Sequence, residues 1–224
     1  MRHDSRARGV VLCLVLEISV GLVAGRVSLA SGATVQNGGA LPVVHLRGTP
    51  YELGYQHGRA LRNEVRRSVA TVLNYFRSYL KLPLFNAWVA NWWLDRGWAA
   101  ARPFIPPEIL EELRGLSEAT DVPMRELYRL HAIPDRTYSC SSLAAWGSMT
   151  SGGRLIHTRN LDWNIEAGVQ DFAVAFVVHP EGKHAFINLG WAGFIGVLSG
   201  VNDAQLSIGQ IGAETTDATF RGEP

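Results

Sequence analysis

The chain has 224 residues, enough for one sizeable domain with a real core and too few to argue for two. Hydrophobic residues at 47% and charged residues at 18% describe an ordinary globular protein. Setting aside the four arginines and two acids of residues 1–30 leaves 17 basic and 18 acidic residues of the original 21 and 20, so the remainder is near neutral and offers no nucleic-acid surface.

The opening segment reads as an export signal. "MRHDSRARG" is a basic n-region, and "VVLCLVLEISVGLVAG" is an apolar run shorter than the ~20 residues a spanning helix wants, with Glu17 near its middle. "RVSLASGA" supplies small residues at −3 and −1 for cleavage after Ala30 or Ala33. The expected location is therefore the periplasm or extracellular space, with an uncleaved membrane anchor as the alternative. No lipobox cysteine stands near the cleavage region.

Residues 31–40, "SGATVQNGGA", form a small, polar lead-in. A short strand is predicted near Val43 to Leu46 and a turn at Gly48 to Pro50. One long helix follows to about Leu80, because Leu61, Val65, Val69, Val72, Leu73 and Phe76 recur at helical spacing. "NAWVANWWLDRGWAAA" predicts a second helix, ended by Pro103, Pro106 and Pro107. Trp88, Trp92, Trp93 and Trp98 repeat along it at a spacing that favours core over a substrate pocket. "PPEILEELRGLSEATDVPMRELYRLHAIPD" predicts two further helices, each with a proline near its start and acids in its first turn.

After Ser139 the pattern changes. "SSLAAWG", "GRLIHTRNLDW", "DFAVAFVVHP", "KHAFINLGW", "GFIGVLSG" and "NDAQLSIGQIGA" read as closely spaced strands, which predicts an antiparallel sheet that starts at Cys140. The organisation expected is a signal over 1–30, a helical leader over 31–139 and the start of a sheet-forming chain over 140–224. No helix follows "TTDATFRGEP" to cover the sheet, so a fragment of a longer protein is expected.

Cysteine usage carries the chemistry. Cys13 lies inside the export segment and leaves with it, so Cys140 is the one cysteine of the mature chain. It can form no intrachain disulfide, and an exported lone thiol is a liability unless buried or used. The turn "MTSGGR" pairs the strand beginning at Cys140 with the strand ending at Arg159, which would bring the guanidinium to the sulfur. Asp162 could orient an amine. His157 shares a strand face with Arg159 and could reach Cys140, but none of the six remaining histidines sits in a Cys-His protease signature. His179 and His184 flank a turn, His57 lies in the first helix, and His45 and His131 are isolated. A base could instead come from Cys140 itself: if the Ser139–Cys140 bond breaks, the freed α-amine has an unperturbed pKa of about 7.7–8.0, near what general-base catalysis needs.

The segments "YSCSS", "HTRNLDW", "GVNDAQLSIG" and "GTPYELGYQHG", within residues 42–212, resemble the N-terminal-nucleophile hydrolases. More closely, they are similar to the C45 family of autoproteolytic acyltransferases and hydrolases, related to isopenicillin N acyltransferase and more distantly to bile-salt hydrolase and penicillin V acylase. The resemblance implies an α+β fold, a four-layer αββα sandwich of antiparallel sheets. It implies that Cys140 is both the self-cleavage and the catalytic nucleophile, that Arg159 faces the sulfur and Asp162 the α-amine, and that the Asn202 side-chain amide helps form an oxyanion hole. On the residues alone, Asn202 reads as a turn residue before a strand. The implied reaction is hydrolysis or transfer of small-molecule acyl amides through an acyl-enzyme, without cofactor, metal, nucleic acid or stable membrane partner. Two departures stand out: the family commonly has glycine where Ser139 precedes the nucleophile, and it uses an asparagine and an arginine beyond Asn202 that have no obvious equivalents here. A non-catalytic envelope binding protein and a conventional Cys-His peptidase remain the alternatives.

Overall fold

A computed structural model describes residues 34–37, 41–79, 86–133 and 140–212. The export segment, Ser139 and residues 213–224 lie outside the described residues. In chain order the elements are β1 (Thr34–Asn37), β2 (Pro42–Gly48), α1 (Pro50–Ala60), α2 (Arg62–Tyr79), α3 (Asn86–Ala101), α4 (Pro107–Thr120), α5 (Met124–His131), β3 (Cys140–Gly147), β4 (Gly153–Leu161), β5 (Ala173–Pro180), β6 (Phe186–Trp191), β7 (Ser199–Asn202) and β8 (Ser207–Gly209). The fold is a mixed α/β arrangement rich in antiparallel pairing.

Six strands form one sheet in the order β1-β2-β5-β6-β7-β8, and β3 pairs with β4 in a separate hairpin. Every pairing is antiparallel except that of β2 with β5. The sheet therefore does not begin at the cysteine: β2, which precedes all five helices, lies inside it. Alternation decides its faces, with Val44 and Leu46 of β2 and Val174, Phe176 and Val178 of β5 buried against the helices. Val177 and Ile187 on the other face line a cavity that the β3–β4 hairpin helps enclose.

The helix predicted from the 50s to Leu80 is two helices. Thr49 starts the first with a capping box: the Glu52 carboxylate accepts from the Thr49 N–H at 2.8 Å, and the Thr49 hydroxyl accepts from the Glu52 N–H at 3.4 Å. Leu61 breaks the run at φ −128°, ψ 34°. The break lets each half meet a different partner. Gly54 and Gly58 on α1 and Gly115 on α4 bring those two helices into backbone contact, and a Cβ on Gly54 would run into the Glu112 carbonyl oxygen. Along α2, Val65, Val69, Val72 and Leu73 are buried as the spacing predicts, and Phe76 packs partly buried against the same core.

The tryptophans of α3 divide. Trp98 is buried and stacks on Tyr128 at 4.4 Å, and Trp93 packs partly buried against the core. Trp88 and Trp92 are 68% and 50% exposed, so the core reading is corrected for those two. They lie on the face of α3 opposite the buried Ala90 and Leu94, while Asp95 receives Arg129 and Arg125 from α5.

The segment "GFIGVLSG" is also not the strand predicted. Residues 193–198 form a loop that joins β6 to β7, and only Ser199 and Gly200 belong to a strand. Two of its N–H groups are taken by side chains rather than by a neighbouring strand: Gly193 N–H donates to His57 Nε2 and Ile195 N–H to His131 Nε2, both at 3.0 Å, while Phe194 N–H turns back to the Trp191 carbonyl at 3.1 Å. Asn188 Nδ2 donates to the Gly196 carbonyl at 3.3 Å. Gly193 sits at φ +92°, a conformation that favours glycine.

Two predictions follow from these contacts. Gly54→Ala should lower stability by about 2 kcal/mol, because a Cβ driven into the Glu112 backbone falls at the upper end of the ~1–3 kcal/mol that overpacking costs, against the ~1 kcal/mol that alanine gains in a free helix. Denaturant unfolding measures it, and a stabilised variant would show that the α1–α4 crossing is looser than described. The second concerns pH. Burial, with the neighbouring His131, pushes His57 down to about 3; burial pushes His131 down to about 4, against the Leu127 carbonyl, which raises it. Both folded values lie below the ordinary value near 6.5, so the unfolded chain takes up protons first as the pH falls. Their contribution is complete above pH ~6.5 and is lost as the pH falls toward 4. Glu112, raised by burial to about 8, works with the opposite sign, and its contribution is lost as the pH rises toward 8. The histidine effect is therefore read as a difference: between pH 7 and pH 5 wild type should lose about 2 kcal/mol more than His131→Gln. Parallel pH slopes of the unfolding free energy would overturn it.

Candidate active site

The hairpin turn is built from glycines. Gly147, Gly152 and Gly153 all have positive φ, which closes "MTSGG" between β3 and β4. The register pairs Cys140 with Leu161, Ser142 with Arg159 and Ala144 with His157. Directly opposed residues project to the same side, so Cys140, Ser142, Arg159 and His157 share one face of the hairpin. Cys140 and Arg159 are diagonal neighbours there.

Arg159 Nη2 donates to Cys140 Sγ at 3.1 Å. The sulfur is free and half-buried. The guanidinium is held by neutral acceptors from the far end of the large sheet. Its Nε donates to the Gln210 carbonyl at 2.9 Å, its Nη2 also reaches Gln210 Oε1 at 3.4 Å, and its Nη1 reaches Ser199 Oγ at 3.5 Å. No carboxylate among the described residues pairs with it, so its charge is left for the sulfur and for whatever enters the cavity.

That cavity, about 870 Å³, lies between β4 and the large sheet. Leu155, Leu161, Val177, Ile187 and Leu189 make much of its wall apolar, while Arg159, Ser199, Asn202 and Ser207 contribute polar groups. Arg159 stands between the cavity and the sulfur: it lines the wall and touches Cys140. A volume of this size is in the range of ligand sites, ~300–1,000 Å³.

The other sequence-derived candidates are placed differently. Asp162 follows β4 directly, is exposed, and makes no hydrogen bond or ion pair to a described residue. Asn202 ends β7 and lines the same cavity as Arg159, but its Oδ1 accepts the Leu206 N–H at 2.9 Å, which makes it the cap of the β7–β8 turn. His157 has both ring nitrogens engaged away from Cys140, with Nε2 on Ser142 Oγ at 2.8 Å and Nδ1 on Ser207 Oγ at 2.9 Å. It ties the hairpin to β8. Ser139, the residue before the scissile bond expected from the sequence, is outside the described residues.

Sequence reasoning missed Gln210 and Ser199 as the holders of Arg159, and Ser142 and Ser207 as the partners of His157. Ser142, two residues after Cys140 on one strand, could have been found by alternation. Gln210 acts mainly through its backbone carbonyl, for which side-chain identity gives no signal. Among the described residues no helix is long and apolar enough to cross a membrane, and no cluster of His, Cys, Asp and Glu could hold a metal ion.

No protein-family model matches the chain. It is 30% identical over 194 residues to protein dcd1B of Dictyostelium discoideum, covering 77% of this chain and 39% of that protein. It is 27% identical over 183 residues to the "Probable acid ceramidase" of Caenorhabditis elegans, covering 74% of this chain and 43% of that protein. With the N-acylethanolamine-hydrolyzing acid amidase of the same organism it shares 27% identity over 122 residues, 50% of this chain and 34% of the relative. The last two are amide hydrolases, so the chain has distant relatives in that class. The chain spans between about a third and two fifths of the length of these curated relatives.

The hydrogen bonds of His157 generate a prediction. A working general base contributes about 10²–10⁴-fold, whereas His157→Gln should change the rate at which iodoacetamide alkylates Cys140 by less than about tenfold. A loss in the larger range would restore the cysteine–histidine pairing.

Proposed function

We propose that this chain is the leader and the start of the catalytic chain of an exported cysteine amide hydrolase of the N-terminal-nucleophile type, similar to the C45 acyltransferases and hydrolases. The observation that carries the proposal is the Arg159 Nη2 to Cys140 Sγ contact at 3.1 Å, made at the first residue of a strand beside a largely apolar cavity. A guanidinium in that position complements negative charge on sulfur. The amide-hydrolase relatives support the reaction class.

In maturation the Cys140 thiol adds to the Ser139 carbonyl carbon, the peptide C–N bond breaks as the nitrogen takes up the thiol proton, and a thioester joins the two segments. Water then cleaves the thioester to give an α-chain ending at Ser139 and a β-chain whose first residue carries both a thiol and a free α-amine. In turnover the amine takes the thiol proton as sulfur attacks an acyl amide, then gives it to the leaving nitrogen. Water, or a second amine in a transfer reaction, resolves the acyl-enzyme. Arg159 orients the sulfur, Asp162 is assigned to the α-amine once it is free, and Asn202 turns its amide toward the tetrahedral oxyanion. The apolar wall favours an acyl amide with a hydrocarbon acyl group. The four-layer αββα sandwich and the removal of residues 1–30 on export belong to the same reading. No step calls for a cofactor.

Intact mass and N-terminal sequencing of the full-length protein, beside Cys140→Ala, test this. The expected result is a wild-type fragment beginning Cys-Ser-Ser that the variant lacks, together with release of free acid from N-acyl amides by wild type alone. A well-folded wild type that stays whole and inert would refute the proposal.

A further inference from the structure

The mechanism above leaves two buried histidines unused. His57 on α1 and His131 on α5 are 1% and 7% exposed, and both act on the loop of residues 193–198. His131 Nδ1 lies 2.8 Å from the Leu127 carbonyl, which assigns the proton to Nδ1 and leaves Nε2 as the acceptor for the Ile195 N–H. Its ring also stacks on Phe194 of the loop at 4.7 Å. His57 accepts the Gly193 N–H and packs on Phe176 at 4.6 Å. Asn188 on β6 takes the Gly196 carbonyl from the sheet side. Side chains from three elements thus hold three backbone positions in one short loop.

The loop leads to Arg159. Its last residue, Leu198, accepts the Gln210 N–H at 2.9 Å, and the Gln210 carbonyl accepts from Arg159 Nε at 2.9 Å. Ser199, the next residue, takes Nη1. These neutral acceptors fix the guanidinium only as well as their own backbone is fixed. Burial keeps both imidazoles neutral at ordinary pH, the form in which Nε2 can accept.

We propose that His57 and His131 are positioning residues, which hold the 193–198 loop by its N–H groups so that Leu198, Ser199 and Gln210 keep the Arg159 guanidinium against the Cys140 sulfur. The functional part of this inference rests on the reading of Cys140 as the nucleophile.

The test measures iodoacetamide alkylation of Cys140 by mass spectrometry in the full chain carrying Cys13→Ser, so that a single thiol reports. Arg159→Gln should slow alkylation by roughly tenfold, the scale on which a neighbouring cation alters thiol reactivity. His131→Leu, which removes the acceptor, should slow it toward the Arg159→Gln rate, and His131→Gln, which restores an acceptor at the same reach, should recover most of the loss. In the Arg159→Gln background His131→Leu should add nothing, because the two changes act through one contact. Equal slowing in both backgrounds, an unchanged rate in a destabilised His131→Leu, or no effect of Arg159→Gln would each overturn the proposal. If His131→Leu fails to fold, His57→Leu against His57→Gln carries the same comparison at the Gly193 N–H. A chain that neither self-cleaves nor turns over amides would refute the proposed function and leave these rates readable, whereas unchanged rates in an active enzyme would refute the clamp alone.

Discussion

The parallel pairing of β2 with β5 is the constraint on which the rest of the structure depends. These strands run side by side from Val43 and Ala175 to Gly48 and Pro180, yet five helices and the β3–β4 hairpin lie between them in the chain. A parallel pair needs a crossover, and here the crossover is most of the protein. Its helices cover one face of the sheet, where Val44, Leu46, Val174 and Phe176 join the helical core. The hairpin goes to the other face. Cys140 is therefore delivered to the side of the sheet that the helices do not fill, and the cavity is what remains between the two β layers.

On that side the decisive charge is Arg159. A guanidinium paired with a carboxylate would have its field largely cancelled, but this one meets carbonyl, amide and hydroxyl oxygens and a sulfur. The contrast within the same molecule is Arg129, which is more deeply buried than Arg159 and sits between Asp95 and Glu126 as a structural tie. Asp95 is in turn held down to about 2, chiefly by the Arg129 hydrogen bond. The difference between the two arginines lies in their partners, and it separates a residue that joins helices from one that presents charge to a thiol.

Much of this was legible in the sequence where local pattern and tertiary role agree. The α2 stripe from Val65 to Phe76, the helix at 86–101 and the MTSGG hairpin each announce themselves through spacing or turn chemistry, and the hairpin register alone was enough to place Arg159 near Cys140. Legibility ended where a segment's partners come from far along the chain. "GFIGVLSG" has strand composition, but His57, 136 residues before Gly193, claims its N–H and keeps it out of the ladder. Trp88 and Trp92 fit a helical stripe, but the stripe that meets the core is turned away from them. The role of Gln210 resides in a carbonyl group that every residue possesses.

The same topology bears on self-cleavage ahead of Cys140. A break there would divide the chain between α5 and β3, leaving β1, β2 and all five helices on one piece and β3 through β8 on the other. The pieces would still share the β2–β5 ladder, with six residues on each strand in register, and a core to which both contribute. Separating them would require unzipping strands inside a sheet and exposing Val44, Phe176 and the buried face of α2 together, a cost comparable to unfolding. Cleavage would thus add an α-amine beside the sulfur without relinquishing the scaffold that places Arg159, because the contacts between guanidinium, Gln210, Ser199 and Cys140 all lie within the second piece. The first piece supplies the histidines that steady that arrangement from across the core.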